Sequence, residues 1–271
     1  SVRGLTARLS PRSYVLQDGV PVSYAPYGQP QLTLAPVALG NLDSIDVVRG
    51  AGSVRYGPQN VGGIINFTTR AIPKTFAAEA SIGTEIYSHG GNVKTTPSFF
   101  VGGTNESGLG LAVLYSGTHG KGWRSSNDKT DIDDLLVKGS YKLSNNSSIS
   151  ASLHHFEGKG QMPGGLTTAQ YAADPFQSTR NYDQFTGRRT DGSLKYSYKD
   201  GRNNFEVLSY YVDSFRGSYI ERDATGANAG KRSLTAAPRD YSYYGVEPRY
   251  SRIFETGSVV QEVSVGYRYL K

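Results

Sequence analysis

Arginines offer this chain its clearest chemistry for binding an anion, and two of them stand near the ends of alternating stretches. Arg216 lies in Phe215-Arg216-Gly217-Ser218-Tyr219 and Arg239 in Ala237-Pro238-Arg239-Asp240-Tyr241. A guanidinium presents two parallel N–H groups in a rigid fork, which matches the two oxygens of a carboxylate. In the stretch 203 to 217, Phe205, Val207, Tyr211 and Phe215 share one face by alternation, so Arg216 takes the other. Arg239 opens the next such stretch. Residue type alone leaves two readings open: contact with an anion, or a solvated side chain paired with a nearby carboxylate. Other site chemistry finds less support. His89, His119, His154 and His155 show no metal-ligand spacing backed by carboxylates or thiolates. His154 and His155 also lack an evident nucleophile partner. Gly62-Gly63 and Gly102-Gly103 match no phosphate-binding fingerprint. Asn105, Asn145 and Asn146, each two residues before a serine, fall in turns and read as turn chemistry.

The elements that must hold these residues are strands. From about Phe76 onward apolar and polar residues alternate with period two, which places them on opposite faces of a sheet. In 259 to 270, Val259, Val263, Val265, Tyr267 and Tyr269 share one face, with Glu262, Ser264, Gly266 and Arg268 on the other. Nine such strands are predicted, near 77 to 87, 93 to 104, 108 to 118, 131 to 144, 148 to 157, 189 to 199, 203 to 217, 239 to 254 and 258 to 271. Their connections alternate between tight turns, as at Asn105-Glu106-Ser107 and Asp200-Gly201-Arg202, and long loops at 119 to 130, 158 to 188 and 218 to 238. Short turns at one end and long loops at the other are the pattern of a bacterial transmembrane barrel. A soluble sandwich also alternates apolar and polar residues, but its loops need not segregate in this way.

Composition agrees. The 33 Gly, 20 Tyr and 10 Phe, against one Trp, one Met and no Cys, suit strands and interfacial girdles and leave no disulfide or thiolate site. Apolar runs are far shorter than the ~20 residues of a spanning helix. The net charge of +6 fits an anion-attracting surface or an ordinary solvated one. Residues 1 to 74 differ: they are punctuated by Gly and Pro, with a hairpin expected around Asp18-Gly19, strands at Ile45 to Gly50 and Gly62 to Arg70, and a break at Ala71-Ile72-Pro73-Lys74. The abrupt start at Ser1 and the finish at Lys271 inside a strand pattern are read as cuts in a longer chain.

Ile45-Asp46-Val47-Val48-Arg49-Gly50, then Arg55-Tyr56-Gly57, then Gly62-Gly63-Ile64-Ile65-Asn66 resemble the closing segment of the plug domain of TonB-dependent outer-membrane transporters. Ser1-Val2-Arg3-Gly4-Leu5 is similar to an earlier plug strand. Ala25-Pro26-Tyr27-Gly28-Gln29-Pro30-Gln31-Leu32, Met162-Pro163-Gly164-Gly165-Leu166 and Val246-Glu247-Pro248-Arg249-Tyr250-Ser251 resemble the ferric citrate receptor branch. The resemblance implies a mainly β fold: the C-terminal part of an α+β plug at 1–74 and, at 75–271, about nine of 22 antiparallel strands of a transmembrane β-barrel in the bacterial outer membrane. It implies import of ferric citrate, or of another anionic iron chelate, driven through the TonB energy-transducing complex, whose binding box is not in this chain. The expected partners are the chelate, TonB and outer-membrane lipid, with no nucleic acid.

The same resemblance assigns ligand contacts to Gln29, Arg216 and Arg239, and a lock between plug and barrel to Arg3 and Arg49. No resident cofactor and no bond from protein to metal are expected, since the iron arrives already chelated. A barrel enzyme or a soluble β adhesin is the alternative class.

Overall fold

A two-residue turn with both residues at positive φ favours Asp-Gly and joins strands whose twist it matches. The hairpin at the front of the computed structural model is of this kind. The structure describes residues 13–22, 36–49, 63–223 and 232–271. Strand β1 (Ser13–Gln17) turns through Asp18 at φ 48° and Gly19 at φ 87° into β2 (Val20–Pro21). A single 3-10 turn at Leu39–Asn41 leads into β3 (Leu42–Val48), and β4 (Gly63–Thr69) completes a small sheet of order β2-β1-β4-β3. Strand β1 runs parallel to β4, and β3 antiparallel to it. Both expected strands and the expected hairpin of the first 74 residues are therefore present.

Beyond Lys74 the chain is an antiparallel meander. Its strands are β5 (Ala77–Ile86), β6 (Val93–Thr104), β7 (Leu109–Lys121), β8 (Lys129–Lys142) and β9 (Ser147–Gln161). A short helix, α1 (Thr168–Ala173), follows, started by a capping box between Thr167 and Gln170. Then come β10 (Gln184–Lys199), β11 (Asn203–Asp223), β12 (Arg232–Ala236), β13 (Arg239–Thr256), β14 (Val259–Gly266) and β15 (Tyr269–Leu270). The main path pairs β5 through β11, β13 and β14 in chain order, nine strands as the alternation predicted.

Two details depart from the alternation. Strands β9, β10 and β11 continue past their expected outer ends, and β12 pairs with the top of β11 inside the stretch expected to be loop. Polar residues there alternate too weakly to register as strand. The last strand is also interrupted. Its register continues unbroken from the pair Arg249 with Gly266 to the pair Val246 with Tyr269. Between them Pro248 faces Tyr267, and a proline has no N–H to donate to the ladder.

The two faces of this sheet invert the soluble pattern. Outward-pointing Leu135, Val137, Leu153, Tyr211, Val263 and Val265 are exposed, as a lipid-facing wall requires. The inward side carries Asp134, His154, Arg189, Asp191 and Glu247, all buried. It also carries a small apolar cluster of Leu208, Tyr210, Val212 and Tyr243 that receives Val20 of the β1–β2 hairpin. The small sheet therefore packs against this inward side.

Candidate functional site at the outer mouth and the plug wall

Along β11 the buried residues Leu208, Tyr210, Val212 and Ser214 mark the inward face, and Arg216 continues it. On β13 the inward set is Tyr243, Gly245 and Glu247, so Arg239 belongs to the same side. The register pairs Arg216 directly with Arg239. The arginine from the end of one strand and that from the start of the next thus stand side by side on the lumen face. Arg216 is half-buried with its guanidinium 5.9 Å from the ring centre of Phe185, while Arg239 is exposed. On its other side Arg216 pairs across the ladder with Gly187, which in turn pairs with Gly158; neither glycine puts a side chain between Arg216 and the lumen. Like charges directly opposite each other in a ladder repel, and a multivalent anion between them would relieve that. Arg49 is exposed just after β3. Gln29 and Arg3 lie outside the described residues.

Around this mouth the outer connections are tied together. The His89 ring stacks on Phe176 at 3.7 Å, and Trp123 meets the same phenyl edge-on at 6.0 Å. Arg124, buried, donates from Nε to the Gln177 carbonyl at 2.7 Å and from Nη2 to that of Gly164 at 3.1 Å. Asn127 donates to the carbonyls of Met162 and Asp183. The buried Glu221 carboxylate accepts the N–H groups of Asn181 and Tyr182, each at 3.1 Å, and the Arg232 guanidinium at 3.2 Å. Four connections that are distant in sequence therefore form one rim.

Lower down, the inward wall grips the small sheet with polar contacts that sequence reading missed. Lys138 donates to Thr69 Oγ1 at 2.8 Å and to the Arg70 carbonyl at 3.0 Å, and it lies 3.6 Å from Asp18. Asp18 itself holds the Thr69 N–H at 2.9 Å. Glu247 accepts from Tyr210, Arg249 and Arg268, and Arg268 stacks 4.8 Å from the centre of the Tyr14 ring on β1. Burial pushes the Tyr14 hydroxyl upward, with Arg268 opposing. Asp134 and Asp191 flank His154 at 3.1 and 2.9 Å, contacts that the spacing of the histidines in the sequence does not show. Alternation puts all three on one face, but only the strand register shows that they meet. Among the described residues no group of three or more His, Cys, Asp or Glu side chains is arranged to hold a metal.

A plug-like sheet held against the inner wall of an outward-apolar meander is the geometry with which the comparisons agree. Residues 1–64 match the model of the TonB-dependent receptor plug domain. A crystal structure of the ferric citrate transporter FecA in the unliganded form is 50% identical, with a TM-score of 0.89 over 99% of this chain and 40% of that one. Over almost its whole length the chain is similar to TonB-dependent receptors. The vitamin B12 transporter BtuB of Photobacterium profundum is 30% identical over 136 residues, 49% of this chain and 20% of that protein. The open form of the ferric-catecholate import receptor Fiu from E. coli K12 shares the fold, with a TM-score of 0.72 at 13% identity over 98% of this chain and 43% of that one. The chain thus spans less than half the length of these receptors. Its likeness to these receptors makes it a bacterial outer-membrane protein, and its apolar outward face is the lipid-facing side of a barrel wall.

Proposed function

We propose that this chain is the rear of the plug and the first strands of the barrel of a receptor that imports ferric citrate, with energy delivered through TonB. The observation that carries the reading is the pairing of Arg216 with Arg239 on the lumen face at the outer mouth. The 50% identity to a ferric citrate transporter over almost the whole chain supports it. Citrate bound to iron keeps carboxylate oxygens on its surface, and two adjacent guanidinium forks on a wall lined by glycines suit them. Gln29 is proposed as a third contact, from the plug side. Arg3 and Arg49 are proposed to fasten plug to barrel. The tied outer connections then act as a preformed rim around the chelate.

The test is Arg216→Ala combined with Arg239→Ala in the full-length receptor, measuring iron uptake with ferric citrate as sole source and binding of labelled ferric citrate to outer membranes. Loss of both is expected, with heat-modifiable gel mobility unchanged. Unaltered uptake would refute the assignment. Competition between ferric citrate and other anionic iron chelates separates citrate from its relatives: if a different chelate displaces ferric citrate at lower concentration, the substrate is that chelate.

A further inference from the structure

His154 sits at the centre of a buried polar chain that starts and ends on the plug. At one end the plug's Ala38 N–H donates to Asp134 Oδ2 at 2.7 Å, and the Asn41 amide donates to Asp134 Oδ1 and to its main-chain carbonyl, both at 3.1 Å. Asp134 Oδ1 is 3.1 Å from His154 Nε2, and His154 Nδ1 is 2.9 Å from Asp191 Oδ2. The same Asp191 oxygen accepts Arg189 Nε at 2.6 Å. Arg189 Nη1 donates to the Tyr243 hydroxyl at 3.3 Å, which donates to the Pro21 carbonyl of the plug hairpin at 3.0 Å. The chain crosses β8, β9, β10 and β13, and each side chain from Asp134 to Tyr243 is less than a tenth exposed.

Both ring nitrogens of His154 face carboxylate oxygens, which accept and do not donate when ionised. A neutral imidazole has one bare lone pair, which would then point at a carboxylate in a dry site. Only the imidazolium satisfies both contacts. The charged groups facing it from every side balance on that assignment: Asp134 on β8, Asp191 and Arg189 on β10, and, across a small cavity of about 10 Å³, Asp18 of the plug with its partner Lys138. We infer that His154 is a charged latch, an imidazolium whose pairing with Asp134 keeps the turn at residues 38–41 of the plug seated on the barrel wall, so that neutralising this ring loosens the plug there. The latch depends on the packing of plug against wall and not on which chelate the receptor carries, and its test uses no ligand.

The experiment takes the full-length receptor in lipid nanodiscs. Hydrogen exchange followed by mass spectrometry reads the amides of residues 38–41, with the β9 to β10 ladder as internal control. His154→Gln leaves two buried carboxylates against one guanidinium and is expected to speed exchange in 38–41 by roughly tenfold or more while the control ladder stays put. Combining it with Asp134→Asn restores the charge balance, and exchange should return to within about threefold of the parent. No change in the single variant, or equally fast exchange in the double, would overturn the inference. Independently, nitrogen-15 spectra of labelled histidine should show both ring nitrogens of His154 protonated at neutral pH, identified as the one signal that Asp191→Asn moves. A neutral tautomer there would overturn the latch even if neither exchange variant folded.

Discussion

Gly245 lies directly across the ladder from Tyr210, and the tyrosine ring occupies the space that any side chain at 245 would need. A Cβ at this position would lie 2.7 Å from Tyr210 Cε2 and closer still to Cζ and Oη. Gly245→Ala must therefore push a buried ring aside. That ring meets Tyr243 edge-on at 6.4 Å and donates to Glu247 at 3.0 Å. Overpacking of this kind costs about 1–3 kcal/mol, and losing a hydrogen bond to a charged group about 1.5–3 kcal/mol. Glu247 keeps Arg249 and Arg268 as partners, so the lower part of the combined range applies, about 3 kcal/mol or roughly a hundredfold in the folding equilibrium. The sign is the informative part, because Gly→Ala at a backbone-compatible site otherwise stabilises slightly. Guanidinium unfolding of the full-length receptor from micelles, followed by heat-modifiable mobility, measures it. In a Tyr210→Ser background the same substitution should cost less than about 0.5 kcal/mol, since the obstacle is gone. Equal costs in the two backgrounds would refute the steric account.

Three further outcomes are expected. Lys138→Met removes the donor shared by Thr69 and Arg70 and leaves Asp18 without its cation; exchange of the Thr69 and Arg70 amides should quicken by about 1–2 kcal/mol of local stability, and an unchanged rate would show that Asp18 suffices. Phe176→Ala takes away the ring shared by His89 and Trp123, so limited proteolysis should cut the rim between residues 174 and 178 at least several times faster, with the barrel strands intact. The third concerns pH. The N–H groups of Arg202 and Asn203 and the Asn203 amide hold the Asp200 carboxyl well below the usual carboxylate range. A lowered folded value means that the turn's stabilisation is fully present above the ordinary carboxylate value and is lost only as pH falls through the lower one. A carbon-13 titration of Asp200 should therefore find the turn intact at pH 4, and a midpoint at or above that of a free aspartate would contradict it.

Strand count, hairpin and face assignment were legible in the sequence because each rests on a local period. Asp18-Gly19 declares its turn through the φ angles that it tolerates, and Tyr267 and Arg268 keep their faces even where Pro248 breaks the ladder. Alternation likewise placed Arg216 on the lumen face. What alternation cannot supply is register, the offset of one strand against the next. Arg216 meets Arg239, and His154 meets both Asp134 and Asp191, only through pairings across 20 or more residues that inward polarity alone does not specify. The extension of β11 to Asp223 was hidden for a different reason: above the membrane level neither face needs to be apolar, so the signal that defines a strand lower down is lost.

The order of pairing in the meander bears on how such a chain is made. Every barrel strand on the main path bonds to its neighbour in sequence, so the wall can grow by adding one hairpin at a time with short loop closures. The plug residues come first in the chain, yet the surfaces that hold them come late: Pro21 waits for Tyr243, and Tyr14 for Arg268. The first of these pairs is separated by 222 residues, and the second lies further apart still. Chain order and seating therefore run in opposite directions, and this hairpin waits for strands that lie far downstream. Until then Val20, which packs on Leu208, Tyr210, Val212 and Tyr243 in the finished protein, is uncovered apolar surface of the kind that makes an incompletely folded chain prone to aggregate.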